Sequence, residues 1–306
     1  MRRSLKRFRE SYFLHSFKRD KVAMISFAAI VIFIILATAA PWISPMNPYD
    51  ANNIDIMNSE IPPAWEDEGL KQFPLGTDNM GRDMLSTMLY GLRTSILIGL
   101  GAVFLQAFIG IAVGLSAGFL GGKIDAILMR IADIQFSFPY LMVAIVVSAI
   151  FQLAFGIGRY ETLAVPLLIL IIGVSEWPMY ARTIRASVMG EKNKEYVEAA
   201  KVIGLSRPVI MVRHVLPNSL TSLMVISTIQ VANAVMSEAS LSFLGLGMPV
   251  TRPSLGSLIK SGFDYIFSGS WWITVFPGIW LILFVLVINL LGDWLRDVLN
   301  PKLYKG

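Results

Sequence analysis

TSILIGLGAVFLQAFIGIAVGLSAGFLGG, residues 94–122, is a run of 29 residues without a charge. About 20 helical residues cross the hydrocarbon core of a bilayer, so the run is long enough to span one. A transmembrane barrel strand would need only about ten, with alternating polarity. Gly110, Gly114 and Gly118 recur at four-residue spacing, which puts them on one helical face where a second backbone can approach closely. Charge-free runs at 22–40, 134–158, 162–175, 215–237 and 265–292 bring the expected number of spans to six. The 162–175 run is the shortest and spans only if Glu176 is carried through to Ala181. Composition agrees: 55% hydrophobic and 15% charged residues leave too little polar surface to enclose a water-soluble core. The expected fold class is an all-α polytopic membrane protein.

Orientation follows from the loops. With the N-terminus inside, 20 of the 26 Lys and Arg fall in 1–21, 119–135, 180–218 and 291–306. The positive-inside rule then places both termini and these loops in the cytoplasm, and the net charge of +5 reports topology and contact with anionic lipid rather than nucleic acid. Ala37-Thr38-Ala39 has the small-x-small look of a signal cleavage site, but the apolar run before it is too long for a signal peptide, and 22–40 reads as a retained helix. The leader 1–21 mixes basic residues with Phe8, Tyr12, Phe13, Leu14 and Phe17, the composition of a helix lying on the inner membrane surface. Residues 41–93 read as an irregular outer loop, in whose last part Thr77-Asp78 can cap a helix beginning near Met80. Residues 94–292 form a five-helix core with a cytoplasmic loop at 182–218, and 293–306 a cytoplasmic tail. Trp177, Trp271, Trp272 and Trp294 are expected as headgroup anchors.

The chain has no cysteine, and its two histidines, His15 and His214, lie in different segments, so no metal site or catalytic constellation is expected. Two acids fall within apolar surroundings. Glu176 lies six residues before Arg182 and can reach the inner surface. Glu238, after 23 uncharged residues from Val215, must face protein or a watery path and is the candidate for the pathway or its gate.

Residues 195–218, EYVEAAKVIGLSRPVIMVRHVLPN, interrupt the apolar pattern. Tyr196, Val197, Ala200 and Ile203 make a stripe at helical spacing, and Gly204 suits a helix C-terminus by tolerating positive φ. Ser206 can cap a second helix with Pro208 in its first turn, leading into the fifth span. Ala199 and Ala200 leave room for a partner. The outcome is a short helix, a turn and a helix: a docking knob on the cytoplasmic face.

This stretch resembles the EAA loop of ABC importer permeases: Glu198-Ala199-Ala200, three residues, Gly204, then Leu216-Pro217. His214 stands where isoleucine is usual, yet RHVLPN is similar to the dipeptide, oligopeptide and nickel branch. So are LGTDNMGRDMLSTMLYGLRTS (75–95), GFLGGKIDAILMRIADIQFSFP (118–139), EASLSFLGLG (238–247) and GDWLRDVLNPKL (292–303), the last departing at Trp294 and Asn300. Leu255 replaces the usual tryptophan, and PPAW at 62–65 looks like the dipeptide permeases.

The resemblance implies a six-helix permease with an EAA-type coupling helix, in which Glu195, Glu198, Ala199, Ala200, Gly204, Leu205, Leu216 and Pro217 contact an ATPase. It implies a bacterial inner-membrane complex of this chain, a second homologous permease, two ATP-binding subunits and a periplasmic or lipoprotein solute-binding protein. ATP and Mg would sit on the ATPase subunits, since this chain has no GxxxxGK[ST] and binds no cofactor of its own. Short peptides are the expected solute, with nickel complexes, glutathione, opines or oligosaccharides as alternatives. An ion-coupled secondary transporter is the rival of another class, and would be expected to carry two matching sets of interrupted helices.

Overall fold

The computed structural model describes residues 12–50, 52 and 54–299. The first half of the basic leader, Asn300 and the last residues of the C-terminal motif lie outside that range. The described residues are helical apart from loops and one isolated bridge between Thr77 and Asp83. Their helices are α1 (Tyr12–Arg19), α2 (Lys21–Ile43), α3 (Met84–Leu120), α4 (Gly122–Ser137), α5 (Tyr140–Phe155), α6 (Ile157–Glu191), α7 (Glu195–Val202), α8 (Arg207–Ile210), α9 (Leu216–Phe243), α10 (Leu255–Phe263) and α11 (Trp272–Leu299). A π turn at Met211–Val215 joins α8 to α9. Five helices are long and apolar enough to cross a membrane: α2, α3, α6, the α8–α9 run and α11. The α4–α5 pair, bent by 80°, is apolar enough to make a sixth if its two helices count as one broken span.

Four expectations about the spans are corrected. The 162–175 segment is no weak span: α6 is continuous over 35 residues and carries Pro166 and Pro178 within it. The interrupted span is the third. It breaks because Pro139 disfavours the helical region for the residue before it, and Phe138 is extended at φ −96°, ψ 122°. The second span's helix begins at Met84, ten residues before the charge-free run and later than the start expected near Met80, because Asp83 rather than Asp78 caps it: Asp83 Oδ2 accepts from Ser86 N at 2.7 Å and Ser86 Oγ at 2.6 Å. The last span runs over Trp272–Leu299 rather than 265–292, with α10 a separate short helix closed by a Ser254–Ser257 capping box.

The described chain forms two compact units, one holding the residues up to Leu97 together with those from Ala239 onward, the other Ile98–Glu238. In the first unit, Phe33 of α2 packs edge-on to Trp280 and Phe284 of α11, and Phe13 and Phe17 of α1 pack on Trp294. The segment before α3 is irregular, as expected, yet closely bonded. Thr77 N donates to Ile61 O at 2.9 Å, Thr77 Oγ1 to Asn58 O at 2.6 Å, and Trp272 Nε1 to Thr77 O at 2.9 Å. Asp78 is not a helix cap. It lies buried with Arg82, whose Nε and Nη2 meet its Oδ2 at 2.7 and 2.6 Å while Nη1 donates to Val250 O at 2.8 Å. The tryptophans also depart from expectation: Trp177, Trp272 and Trp294 are buried in protein, and Trp271 Nε1 donates to Glu66 at 3.1 Å.

In the second unit the glycine stripe finds its partner. A Cβ on Gly110, Gly114 or Gly118 would run into Tyr180, Ala181, Ile184, Arg185 and Val188, so these glycines let α3 lie directly on the second half of α6. Arg185 then forks onto Asp125 at 2.5 and 2.6 Å, tying α4 to α6, and Lys192 Nζ donates to Gly118 O at 2.8 Å.

Candidate functional site

Between α6 and α9 the chain builds the helix–turn–helix that its sequence suggests. Helix α7 ends in a Schellman turn: Gly204 sits at φ +85°, Gly204 N donates to Lys201 O at 3.0 Å and Leu205 N to Ala200 O at 3.2 Å. Ser206 occupies the N-cap of α8 with Pro208 in its first turn, although its side chain makes no capping bond. Pro217 has no N–H to give the preceding turn and its ring crowds that turn's carbonyls. The π turn over Met211–Val215 absorbs this, and Asn218 Nδ2 donates to His214 O at 2.7 Å.

The knob is fixed to two long helices at once. Val197 and Ala200 join Leu115, Ile184, Val188, Ile210 and Val215 in one buried cluster, with Leu216 packed on it. Ala200 is therefore filled from within the chain rather than left open for a partner. Ile203, expected to complete this stripe, points out: it is 77% exposed and Val202 87%. The Schellman turn reverses the backbone at that position, so Val202, Ile203, Gly204 and Leu205 form a projecting apolar tip. Glu195, Glu198 and Ala199 are exposed beside it, and Glu198 pairs with Lys201 at 2.6 Å.

Tyr196, read from the sequence only as part of the apolar stripe, makes a tether with three residues that the sequence did not single out, Glu191, Lys194 and Asn218. Tyr196 Oη donates to Glu191 Oε2 at 2.7 Å, at the end of α6, and accepts from Asn218 Nδ2 at 3.3 Å, at the start of α9. Lys194 Nζ holds the other Glu191 oxygen at 2.6 Å. Burial, together with the neighbouring Glu191 carboxylate, raises the Tyr196 phenol above its ordinary range, so it keeps its proton. The signal available in the sequence was only an aromatic residue among charges, and its partners are five and 22 residues away.

A second feature lies within the spans. Glu176 does not reach for a surface: Gln230 Nε2 of α9 donates to its Oε2 at 3.2 Å and to Gln106 Oε1 of α3 at 3.3 Å. Gln106 Nε2 in turn donates to Ile172 O at 3.4 Å, and Asn233 Nδ2 to Gln230 Oε1 at 2.9 Å. A cavity of about 300 Å³ opens onto this chain of amides, lined by Glu176, Gln230, Asn233, Gln135, Tyr140 and Met179 among others. Glu238 does not line it; that residue is fully buried, at 0% exposure, inside α9. Among the described residues no cluster of His, Asp and Glu could hold a metal ion.

Comparison with known proteins shows to which family this arrangement of apolar helices, projecting loop and polar cavity belongs. The fold matches solved chains of the MetNI methionine ABC transporter in inward-facing conformations: one at TM-score 0.56 and 20% identity, covering 70% of this chain and 97% of that one, another at 0.54 and 19%. Residues 110–305 match the family described as binding-protein-dependent transport system inner membrane component, and residues 11–63 the N-terminal transmembrane domain of oligopeptide transport permease C. The chain belongs to this permease family of ABC importers. It is 37% identical to the di/tripeptide transport system permease protein DppC of Pseudomonas aeruginosa, over 95% of this chain and 91% of that one. Dipeptide transport system permease proteins of Haemophilus influenzae (37%; 94% and 92% covered) and Escherichia coli K12 (38%; 95% and 92%) are similar to it as well. The chain is thus a multi-pass inner-membrane component of a binding-protein-dependent importer whose ATP hydrolysis lies in partner subunits, which sets aside the ion-coupled alternative.

Proposed function

We propose that this chain forms one half of the membrane channel of an ATP-driven importer of short peptides, paired with a second homologous permease. Two ATP-binding subunits, holding ATP and Mg, take the apolar tip into a groove, and a periplasmic or lipoprotein binding protein delivers the solute on the opposite side. Both termini and the tip are cytoplasmic in this arrangement. The observation that carries the reading is the tip itself: Val202 and Ile203 stand almost fully exposed on a helix whose other face is locked to α3, α6 and α9. An exposed apolar pair on a rigid mount is what a push from a partner needs. Movement of the ATPase would pass from Val202, Ile203, Gly204 and Leu205, with Glu195, Glu198 and Ala199 at the rim, through Val197, Ala200 and Leu216 into the spans, Pro217 and the π turn giving the place to flex. Glu238, buried in the helix so driven, is the candidate gate residue. Peptides are favoured as solute because the curated relatives are named for di- and tripeptide transport.

Cysteine crosslinking tests the coupling, since the chain has no cysteine of its own. Val202→Cys should crosslink to a cysteine in the ATPase groove with a yield that changes on adding ATP, whereas Lys123→Cys should not. Equal yields at the two positions would overturn the docking assignment. Uptake of a labelled dipeptide by reconstituted complex tests the solute.

A further inference from the structure

The cavity beside α6 holds an acid that the coupling mechanism does not use. Glu176 Oε2 accepts a single hydrogen bond, from the neutral amide of Gln230, and Oε1 has no partner among the described residues. The amides of Gln230 and Gln106 are already committed. Gln230 spends both Nε2 hydrogens on Glu176 and Gln106, and its Oε1 takes Asn233. The cation next along the helix is committed too: Arg182 Nη2 lies 2.7 Å from Asp133 Oδ1, and its guanidinium covers the Phe136 ring at 4.5 Å. A carboxylate within a membrane span and without a cation is costly, and it opens into a space whose volume of about 300 Å³ is at the lower limit for ligand pockets. The walls add Tyr140 and Phe138, whose ring faces attract a cation, and Met179.

We propose that this cavity is a cation-accepting subsite on the solute's route, in which Glu176 receives the α-ammonium group of a short peptide. The ammonium group's three hydrogens need acceptors, and the site offers Glu176 Oε1 together with Asn233 and Gln135, two further lining residues whose side-chain amides carry an acceptor oxygen. The inference about the ammonium group rests on the peptide-import reading. The negative character of the cavity does not.

Two measurements on the assembled complex separate these parts. Met179, exposed on the cavity wall, is replaced by cysteine, and the reaction rates of 2-aminoethyl methanethiosulfonate, a cation, and methyl methanethiosulfonate, neutral, are compared. The cation should be favoured, and adding Glu176→Gln should lower the rate ratio at least about fivefold, the effect of one charge at about 4 Å even in bulk water. Glu176→Asp, which keeps the charge, should preserve the ratio. A ratio that Glu176→Gln leaves unchanged overturns the subsite. In proteoliposomes, uptake of labelled Ala-Ala should fall at least about tenfold in Glu176→Gln, while loaded binding protein still stimulates ATP hydrolysis. Normal uptake in that variant overturns the role given to Glu176. No Ala-Ala uptake by the unmodified complex, with the rate ratio intact, refutes peptide import and leaves the cation site standing.

Discussion

Replacing Arg82 by methionine should loosen the segment before α3 by an amount that can be worked out. The Arg82 guanidinium is 1% exposed and the Asp78 carboxylate 0%, and the pair is joined through Nε and Nη2, with Nη1 on Val250 O. Asp78 Oδ1 meanwhile accepts from Met80 N and Arg82 N, both at 2.9 Å, so its carboxylate organises the turn as well. Arg82→Met removes the cation, leaves a buried carboxylate, and strips Val250 O of its donor. Removing one partner of a buried ion pair costs about 3–5 kcal/mol. At about 1.4 kcal/mol per factor of ten, local opening should become roughly 150- to 5,000-fold more frequent. Hydrogen exchange read by mass spectrometry on the assembled complex reports this at the amides of Thr77, Asp78 and Met84, which donate to Ile61 O, Arg82 O and Gly76 O. Their exchange should accelerate by that factor while the amides of α6 do not change. The double variant Asp78→Asn/Arg82→Met removes both charges and should recover at least half of the loss on a logarithmic scale. Exchange in Arg82→Met within about threefold of the unmodified chain would refute the view that the pair holds this segment together.

Four further outcomes are expected. Gly204→Ala and Gly204→Arg share the strain of φ +85°, of order 1 kcal/mol, and a Cβ there meets nothing in this chain; uptake much lower in Gly204→Arg than in Gly204→Ala therefore measures the partner's groove, and equal uptake would argue against one. Tyr196→Phe cuts the tether to Glu191 and Asn218 and should lower peptide imported per ATP hydrolysed, leaving complex composition unchanged. Burial raises the Asp83 carboxyl above its ordinary range, against the lowering effect of the Ser86 hydrogen bonds. Native chain thus holds this proton where the unfolded chain has released it, so that its stabilising share is present at acid pH and lost as pH rises through the native pKa; Asp83→Asn should flatten the slope of segment stability over that window. Cysteine at Met57, 90% exposed, should react with impermeant maleimide in intact cells and cysteine at Val202 should not; labelling at Val202 from outside would reverse the orientation.

Much of the site was legible because its residue types are constrained locally. Gly204 was marked by the need for positive φ at the end of α7, and the glycine stripe of α3 by its four-residue period; neither depends on knowing the partner. Glu176 was misplaced because distance along the chain to Arg182 suggested a route to the surface, while its bonded neighbour, Gln230, is 54 residues away. Ile203 was put on the buried stripe by helical periodicity, which stops applying one residue before the chain reverses. The tryptophans were assigned to headgroups by residue type, yet Trp272 and Trp294 are covered by the segment before α3 and by α1 respectively.

By itself the sequence determined that this protein lives in a membrane, which of its segments are apolar enough to cross it, and that a helix–turn–helix interrupts them at residues 195–218. Those properties follow from transfer free energy and backbone conformation, which are sums over neighbouring residues and can be read in order along the chain. Which helix receives the glycine face, which acid is fully buried and which meets an amide and opens onto a cavity, and how Tyr196 bridges α6 and α9 were decided only in the tertiary structure. Each depends on side chains that folding brings within about 3 Å, and no local sum contains that distance.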